Sequence, residues 1–151
     1  MKLDQIDRGI LAALQENGRI SLTAIAQRVS AAPATVHERL AKLRRSGLVL
    51  GITARLDAVK LGYSVTALVH LTIELANDLE RTLEELKAIP EVEEVHVVTG
   101  EYDLVVKLRA RDTAHLQELL VSRVHRVTGF KRSATEICLT TPLERFGPRL
   151  P

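Results

Sequence analysis

Residues 21–47 read SLTAIAQRVSAAPATVHERLAKLRRSG, two short helical periods on either side of a breaker. Ser21 can cap a helix in which Leu22, Ile25, Ala26 and Val29 recur at the spacing of one face. The segment Ser30-Ala31-Ala32-Pro33 interrupts that period, and Pro33 suits the first turn of a new helix whose buried stripe is Val36, Leu40 and Leu43. Gly47, after Arg44-Arg45-Ser46, stops this helix and leaves cations against the negative end of its dipole. Upstream, Asp4 can cap a helix carrying Ile6, Ile10, Leu11 and Leu14, which Asn17-Gly18 ends. None of the three can bury its stripe alone. They must pack together as a trihelical cluster with a short turn between the second and third helices, which is helix-turn-helix geometry.

The third helix then presents Ala34, Thr35, His37, Glu38, Arg39, Lys42 and Arg45 outward. Small and polar residues lie at its N-terminal end and cations further along, an order suited to the major groove of double-stranded DNA. There the first turn approaches base edges while Arg and Lys neutralise phosphates. A charge run is more often a solvated helix face, but the trihelical setting favours docking here. Charge distribution agrees. The net charge of +2 conceals an excess of five cations in residues 1–60 and of three anions in residues 61–151, so a polyanion is expected on the first part only. Residues Leu48 to Ile52 look strand-like and lead into a linker over residues 53–63, closing a first domain over 1–52.

From Val65 the period becomes two. Val65, Ala67, Val69, Leu71, Ile73 and Leu75 alternate with Ser64, Thr66, Leu68, His70, Thr72 and Glu74, which predicts a half-buried strand. Asn77 or Asp78 opens a helix with Leu79, Leu83 and Leu86 on one side, ended by Pro90. Strands follow from about Glu93 to Thr99 and from about Asp103 to Ala110, close enough to form a hairpin about Gly100-Glu101-Tyr102. Asp112 or Thr113 starts a helix with Leu116, Leu119, Leu120 and Val124 inward, and Ser133 to Thr140 reads as the last strand. The order is β-α-β-β-α-β over residues 64–151, so the chain is α+β: an N-terminal helix-turn-helix domain plus a ferredoxin-like domain. Both helices should cover one face of its sheet. Leu68, Val98 and Val105 would leave aliphatic surface on the other, for a homodimer to bury. A dimer also sets two reading helices about 34 Å apart, matching successive major grooves.

Composition narrows the function classes. With 46% hydrophobic and 26% charged residues the chain is that of a packed globular protein, and with 3% aromatics its core is aliphatic. The single Cys138 allows no intrachain disulfide and has no evident basic neighbour to activate it. No apolar run reaches the roughly 18 residues a membrane helix needs, and MKLDQIDRG lacks a signal-peptide core, so a cytoplasmic location without membrane partners is expected. The sequence contains no Gly-rich phosphate loop, catalytic triad or paired-carboxylate motif. His37, His70, His96, His115 and His125 fall in five different elements without paired ligand spacing, which argues against a metal site. No catalytic residue and no cofactor is expected.

These residues carry a resemblance along nearly the whole chain. Leu3-Asp4 with Asp7, Ile10-Leu11 and Leu14, then Asn17, Arg19, Ile25-Ala26 and Val29-Ser30, resemble the first two helices of the Lrp/AsnC (feast/famine) transcriptional regulators. Thr35-Val36, Arg39-Leu40, Leu43, Gly47 and Gly51 resemble that family's recognition helix and exit strand, and Gly100-Glu101-Tyr102-Asp103 stands where the family has a G-x-x-D hairpin. The resemblance implies dimers that assemble to octamers or open arrays, an amino-acid effector bound between dimers, and control of amino-acid metabolism genes. It also implies an effector site made of Thr99, Gly100, Glu101, Tyr102 and Asp103 with Ser133 and Thr135 of a neighbouring subunit. Gly100 lets backbone approach a ligand, free amides can take a carboxylate, and Asp103 or Glu101 can accept from an ammonium. The plainer reading makes Gly100 a turn residue and Asp103 a backbone clamp. Two other functions stand beside regulation: a sirohaem-decarboxylase-like enzyme using His70 and His96 on adjacent strands, and an effector-binding assembly protein that no longer binds DNA.

Overall fold

The computed structural model describes residues 2–74, 79–145 and 147–148. By packing, the chain forms two units, Met1–Arg55 with Arg145–Pro151 and Leu56–Glu144. The first holds α1 (Gln5–Glu16), α2 (Leu22–Arg28) and α3 (Pro33–Arg45). Asp4 caps α1 reciprocally: its carboxylate accepts from the Asp7 N–H at 2.8 Å, and the Asp7 carboxylate accepts from the Asp4 N–H at 3.3 Å. Ser21 caps α2 through the Ala24 N–H. Their stripes meet in a core in which Ile10, Ile25 and Val36 are fully buried, each such side chain contributing about 1.5–3 kcal/mol.

Two local features set the helix spacing. Gly9 lets α1 approach α2 so closely that a Cβ there would lie 2.5 Å from Val29 Cγ1. At the turn, Ser30 adopts φ +52° and the Ala31 N–H closes back on the Ala26 carbonyl at 3.0 Å, a left-handed helix exit usually given to Gly.

Residues 48–52 depart from expectation. They form no strand, having no ladder partner among the described residues. Val49 packs on the helical core and Ile52 lies over Gly18, whereas Leu50 is 95% exposed. The tail also packs with this unit, the Gln15 side-chain amide donating to the Pro148 carbonyl at 2.9 Å.

The second unit has β1 (Val65–Ile73), α4 (Leu79–Lys87), β2 (Val92–Val97), β3 (Leu104–Ala110), α5 (Thr113–Ser122), a 3-10 turn (Val124–Arg126) and β4 (Phe130–Ile137). The expected start of α4 at Asn77 or Asp78, and the end of the first alternation at Leu75, lie outside the described residues. The sheet is antiparallel throughout, in the order β2-β3-β1-β4. Ala67, Val69, Leu71 and Ile73 of β1 and Leu104, Val106, Leu108 and Ala110 of β3 share one buried face with Leu86, Leu116, Leu119 and Val124.

β4 starts three residues earlier than the sequence suggests. Gly129, at φ +75°, passes so near Glu74 that a Cβ would meet its backbone at 3.2 Å, and its carbonyl accepts from the Glu74 N–H at 2.7 Å. Phe130 therefore pairs directly with Ile73. Fully buried Thr82 fastens α4 to this turn by donating to the Thr128 carbonyl at 2.8 Å. Pairing fades after Cys138, and Leu139 is 97% exposed, so Thr140 is not in the strand.

Candidate functional site

Burial of Val36, Leu40 and Leu43 turns the opposite side of α3 outward. Ala34, His37, Glu38, Lys42 and Arg45 are exposed and Thr35 is half-buried. Arg39 is different. Its Nη1 lies 2.8 Å from Asp4 Oδ2 and 3.5 Å from Asp7 Oδ1, so it ties α3 to the capping box of α1. The Asp7 N–H, assisted by the Arg39 guanidinium, holds the Asp4 carboxyl below the usual carboxylate range. Among the described residues, the cations of the reading face without a carboxylate partner are thus those of its last turns, Lys42 and Arg45, with Arg44 beside them.

In the second unit, Thr99, Gly100 and Glu101 are exposed at the hairpin tip, with Tyr102 and Asp103 half-buried behind them. Gly100 has φ +130°, and a Cβ there would meet nothing within 4 Å, so its backbone rather than crowding asks for Gly. Asp103 clamps the hairpin to β1: its N–H donates to the Leu71 carbonyl at 2.9 Å and its Oδ2 accepts from the Ile73 N–H at 2.9 Å. Glu101 pairs with Arg132 at 3.3 Å. The Arg132 guanidinium lies over the Tyr102 ring, 5.1 Å from its centroid, and the His70 ring is tilted against it at a centroid separation of 5.1 Å. Arg132 and His70 therefore join the hairpin although the sequence reading passed over Arg132 and assigned His70 elsewhere. The only available signal was the position of each on the open face of its strand.

Ser133 and Thr135 stand opposite Leu71 and Val69, on the helix-covered side, while Tyr102 faces His70 on the open side. One chain does not bring the two groups together. The Ser133 hydroxyl bonds instead with His125 Nε2 at 2.9 Å, and burial lowers the pKa of that imidazole, which is stacked on Phe130.

The open face is more charged than expected. Half-buried Leu68, Val98 and Val105 are present, but Lys107 contacts Glu144 at 2.6 Å and Glu94 at 3.0 Å, and Arg109 contacts Glu93 at 2.5 Å and Glu144 at 3.2 Å. Burial works against the Lys107 ammonium, yet the Glu144 and Glu94 bonds outweigh it and raise its pKa. Hydrogen bonds from His96 and Lys107 lower that of Glu94. His96 and His70 are not on adjacent strands: both pair with Val105, which stands between them. Among the described residues no three His, Cys, Asp or Glu groups gather as metal ligands, and no helix is long and apolar enough to cross a membrane.

Both parts of the chain match known domains. Residues 3–44 match the AsnC-type helix-turn-helix domain, and residues 66–148 match the Lrp/AsnC ligand binding domain. The chain is 31% identical to an uncharacterized HTH-type transcriptional regulator of Pyrococcus abyssi, covering 97% of this chain and 91% of that one. The regulatory protein AsnC of Escherichia coli K12 is 29% identical, covering 95% and 94%. The solved E. coli AsnC structure superposes with a TM-score of 0.89 over 97% of this chain and 98% of that chain, at 29% identity. A transcriptional regulator of Neisseria meningitidis, solved as a complex with L-Met, superposes with a TM-score of 0.91 over 99% and 97% at 25% identity.

Proposed function

The chain belongs to the Lrp/AsnC family of transcriptional regulators and is not an enzyme, and on that premise we propose that it is a sequence-specific DNA-binding homodimer whose operator affinity is set by an amino acid bound between dimers. The helix-turn-helix binds double-stranded DNA and the ligand-binding domain takes a small effector. In the finer reading α3 enters the major groove, with Ala34, Thr35, His37 and Glu38 at base edges and Lys42 and Arg45 on phosphates. Arg39 acts from behind by holding α3 on α1. The observation that carries this reading is the exposed α3 face on a trihelical core, its terminal cations without a carboxylate partner among the described residues.

The hairpin Thr99–Asp103 receives the α-amino and carboxylate groups, with Ser133 and Thr135 supplied by a neighbouring subunit. Asp103 keeps Oδ1 for an ammonium while Oδ2 holds Ile73, so both readings of that residue operate at once. The L-Met complex of the Neisseria relative supports an amino acid as effector. Dimerisation is supported by half-buried Leu68 and Val105 on the open face and by exposed Leu48 and Leu50 after α3. Dimers assembling to octamers would couple ligand to operator through the spacing of their helix-turn-helix pairs, a coupling that is reciprocal by thermodynamic necessity.

The test is binding of the purified chain to its own upstream DNA and to random DNA over a salt series, with and without each of the twenty amino acids. Preference for the upstream duplex that one amino acid shifts supports the proposal. Equal affinity for both duplexes under every condition overturns it.

A further inference from the structure

We propose that a cleft beside α3 is a second small-molecule site, which takes an amphipathic carboxylate in competition with DNA. The cleft has a volume of about 480 Å³, within the roughly 300–1,000 Å³ of small-ligand sites. Its floor is aliphatic, made by Leu14, Ile20 and Leu22 over the buried Ile25 and Leu40, and Ile52 forms one wall. Its rim carries Arg44 and Arg45, and among the described residues no Asp or Glu lines it.

Those two guanidiniums are unlike the other arginines of α2 and α3. Arg28 pairs with Glu16 at 2.7 Å and Arg39 with Asp4 at 2.8 Å, whereas Arg44 and Arg45 have no carboxylate or other polar partner among the described residues. Arginine presents a planar fork that matches a carboxylate through two parallel hydrogen bonds. Two unneutralised forks over an apolar floor select a ligand with one anionic end and a hydrocarbon or aryl body. An amine is repelled at the rim, and a polyanion without an apolar body leaves the floor wet. Arg45 also belongs to the reading face, so a carboxylate held there and a duplex phosphate contend for one cation. This control resides in the first unit and does not depend on the hairpin.

Decanoate, with 1-decanol as its neutral counterpart, is the probe. Full-length protein with labelled Ile and Leu methyls is titrated with each below micelle formation and followed by NMR. Saturable shifts of the Leu14, Ile20, Leu22 and Ile52 methyls are expected with decanoate. Binding should weaken about tenfold, or 1.4 kcal/mol, in Arg44→Gln, be equally weak for decanol, and be reversed by a DNA duplex. Leu22→Gln, which wets the floor, should weaken it independently. The proposal is overturned if these methyls do not move saturably, if decanol or the Arg44→Gln protein binds as well, or if duplex and decanoate bind together without interference. It is equally overturned if the same shifts follow protein concentration without ligand, which would identify a second copy as the occupant.

Discussion

Substituting Gly9 by Ala sets two effects of known size against each other. Gly9 lies inside α1, where Ala is favoured over Gly by about 1 kcal/mol. The new methyl, however, would start 2.5 Å from Val29 Cγ1, when carbon contacts are comfortable at about 3.5–4.0 Å. Valine is stiff about χ1 and cannot swing away cheaply, so α1 and α2 must separate by about an ångström. Overpacking of that kind costs about 1–3 kcal/mol. The clash wins, and Gly9→Ala should destabilise the first unit by about 1 kcal/mol net. In a Val29→Ala background the obstructing methyls are gone, and the same change should stabilise by about 1 kcal/mol through helix propensity alone. Native-state hydrogen exchange at the Ile10 and Ile25 amides reads the stability of this unit within the full chain. The reasoning fails if Gly9→Ala has the same sign in both backgrounds.

Other positions give sharp expectations. Ser30→Gly relieves the left-handed φ of +52° and should raise stability by about 0.5–1 kcal/mol in a urea titration, with a loss pointing to a side-chain role for Ser30. Asp103→Ala leaves the Ile73 N–H without its acceptor and should cost about 1–3 kcal/mol and speed exchange of that amide, whereas Asp103→Asn, which keeps an acceptor, should retain most protection. Burial lowers the His125 pKa from its ordinary 6.5, so the folded state binds fewer protons than the unfolded one. Its contribution is complete above about pH 6.5 and is lost as pH falls toward the folded value. Urea midpoints between pH 7.5 and 5 should fall less in His125→Gln than in the parent, and identical slopes would remove His125 as the cause.

Much of this architecture is legible in the residues because local and global preferences agree. Asp4, Ser21 and Pro33 mark helix starts where their chemistry is used, and the alternation from Val65 reports burial on one face of β1. What escapes is set by contacts distant in sequence. Residues 48–52 have strand composition, but a strand needs a partner and none of the described residues supplies one. The start of β4 depends on Gly129 meeting Glu74, 55 positions away, and on Thr82 holding Thr128, which no periodicity reveals. Arg39 illustrates the same limit at the site. Helical spacing places it on the outer flank of α3, but only the fold brings Asp4 and Asp7 beside it. The gathering of His70, Tyr102 and Arg132 likewise needs the sheet order, which puts β1 between the hairpin end and β4.

The claim that α3 reads DNA through its terminal cations is tested most directly by the salt dependence of operator binding in Arg45→Gln and Arg39→Gln, each compared with the parent chain. A phosphate contact adds about 0.9 to the slope of log affinity against log salt. Arg45→Gln should therefore lower the slope by about that amount per subunit, while Arg39→Gln, whose charge serves Asp4 and Asp7, should weaken folding and leave the slope unchanged. An unchanged slope in Arg45→Gln, or a reduced one in Arg39→Gln alone, would contradict the account.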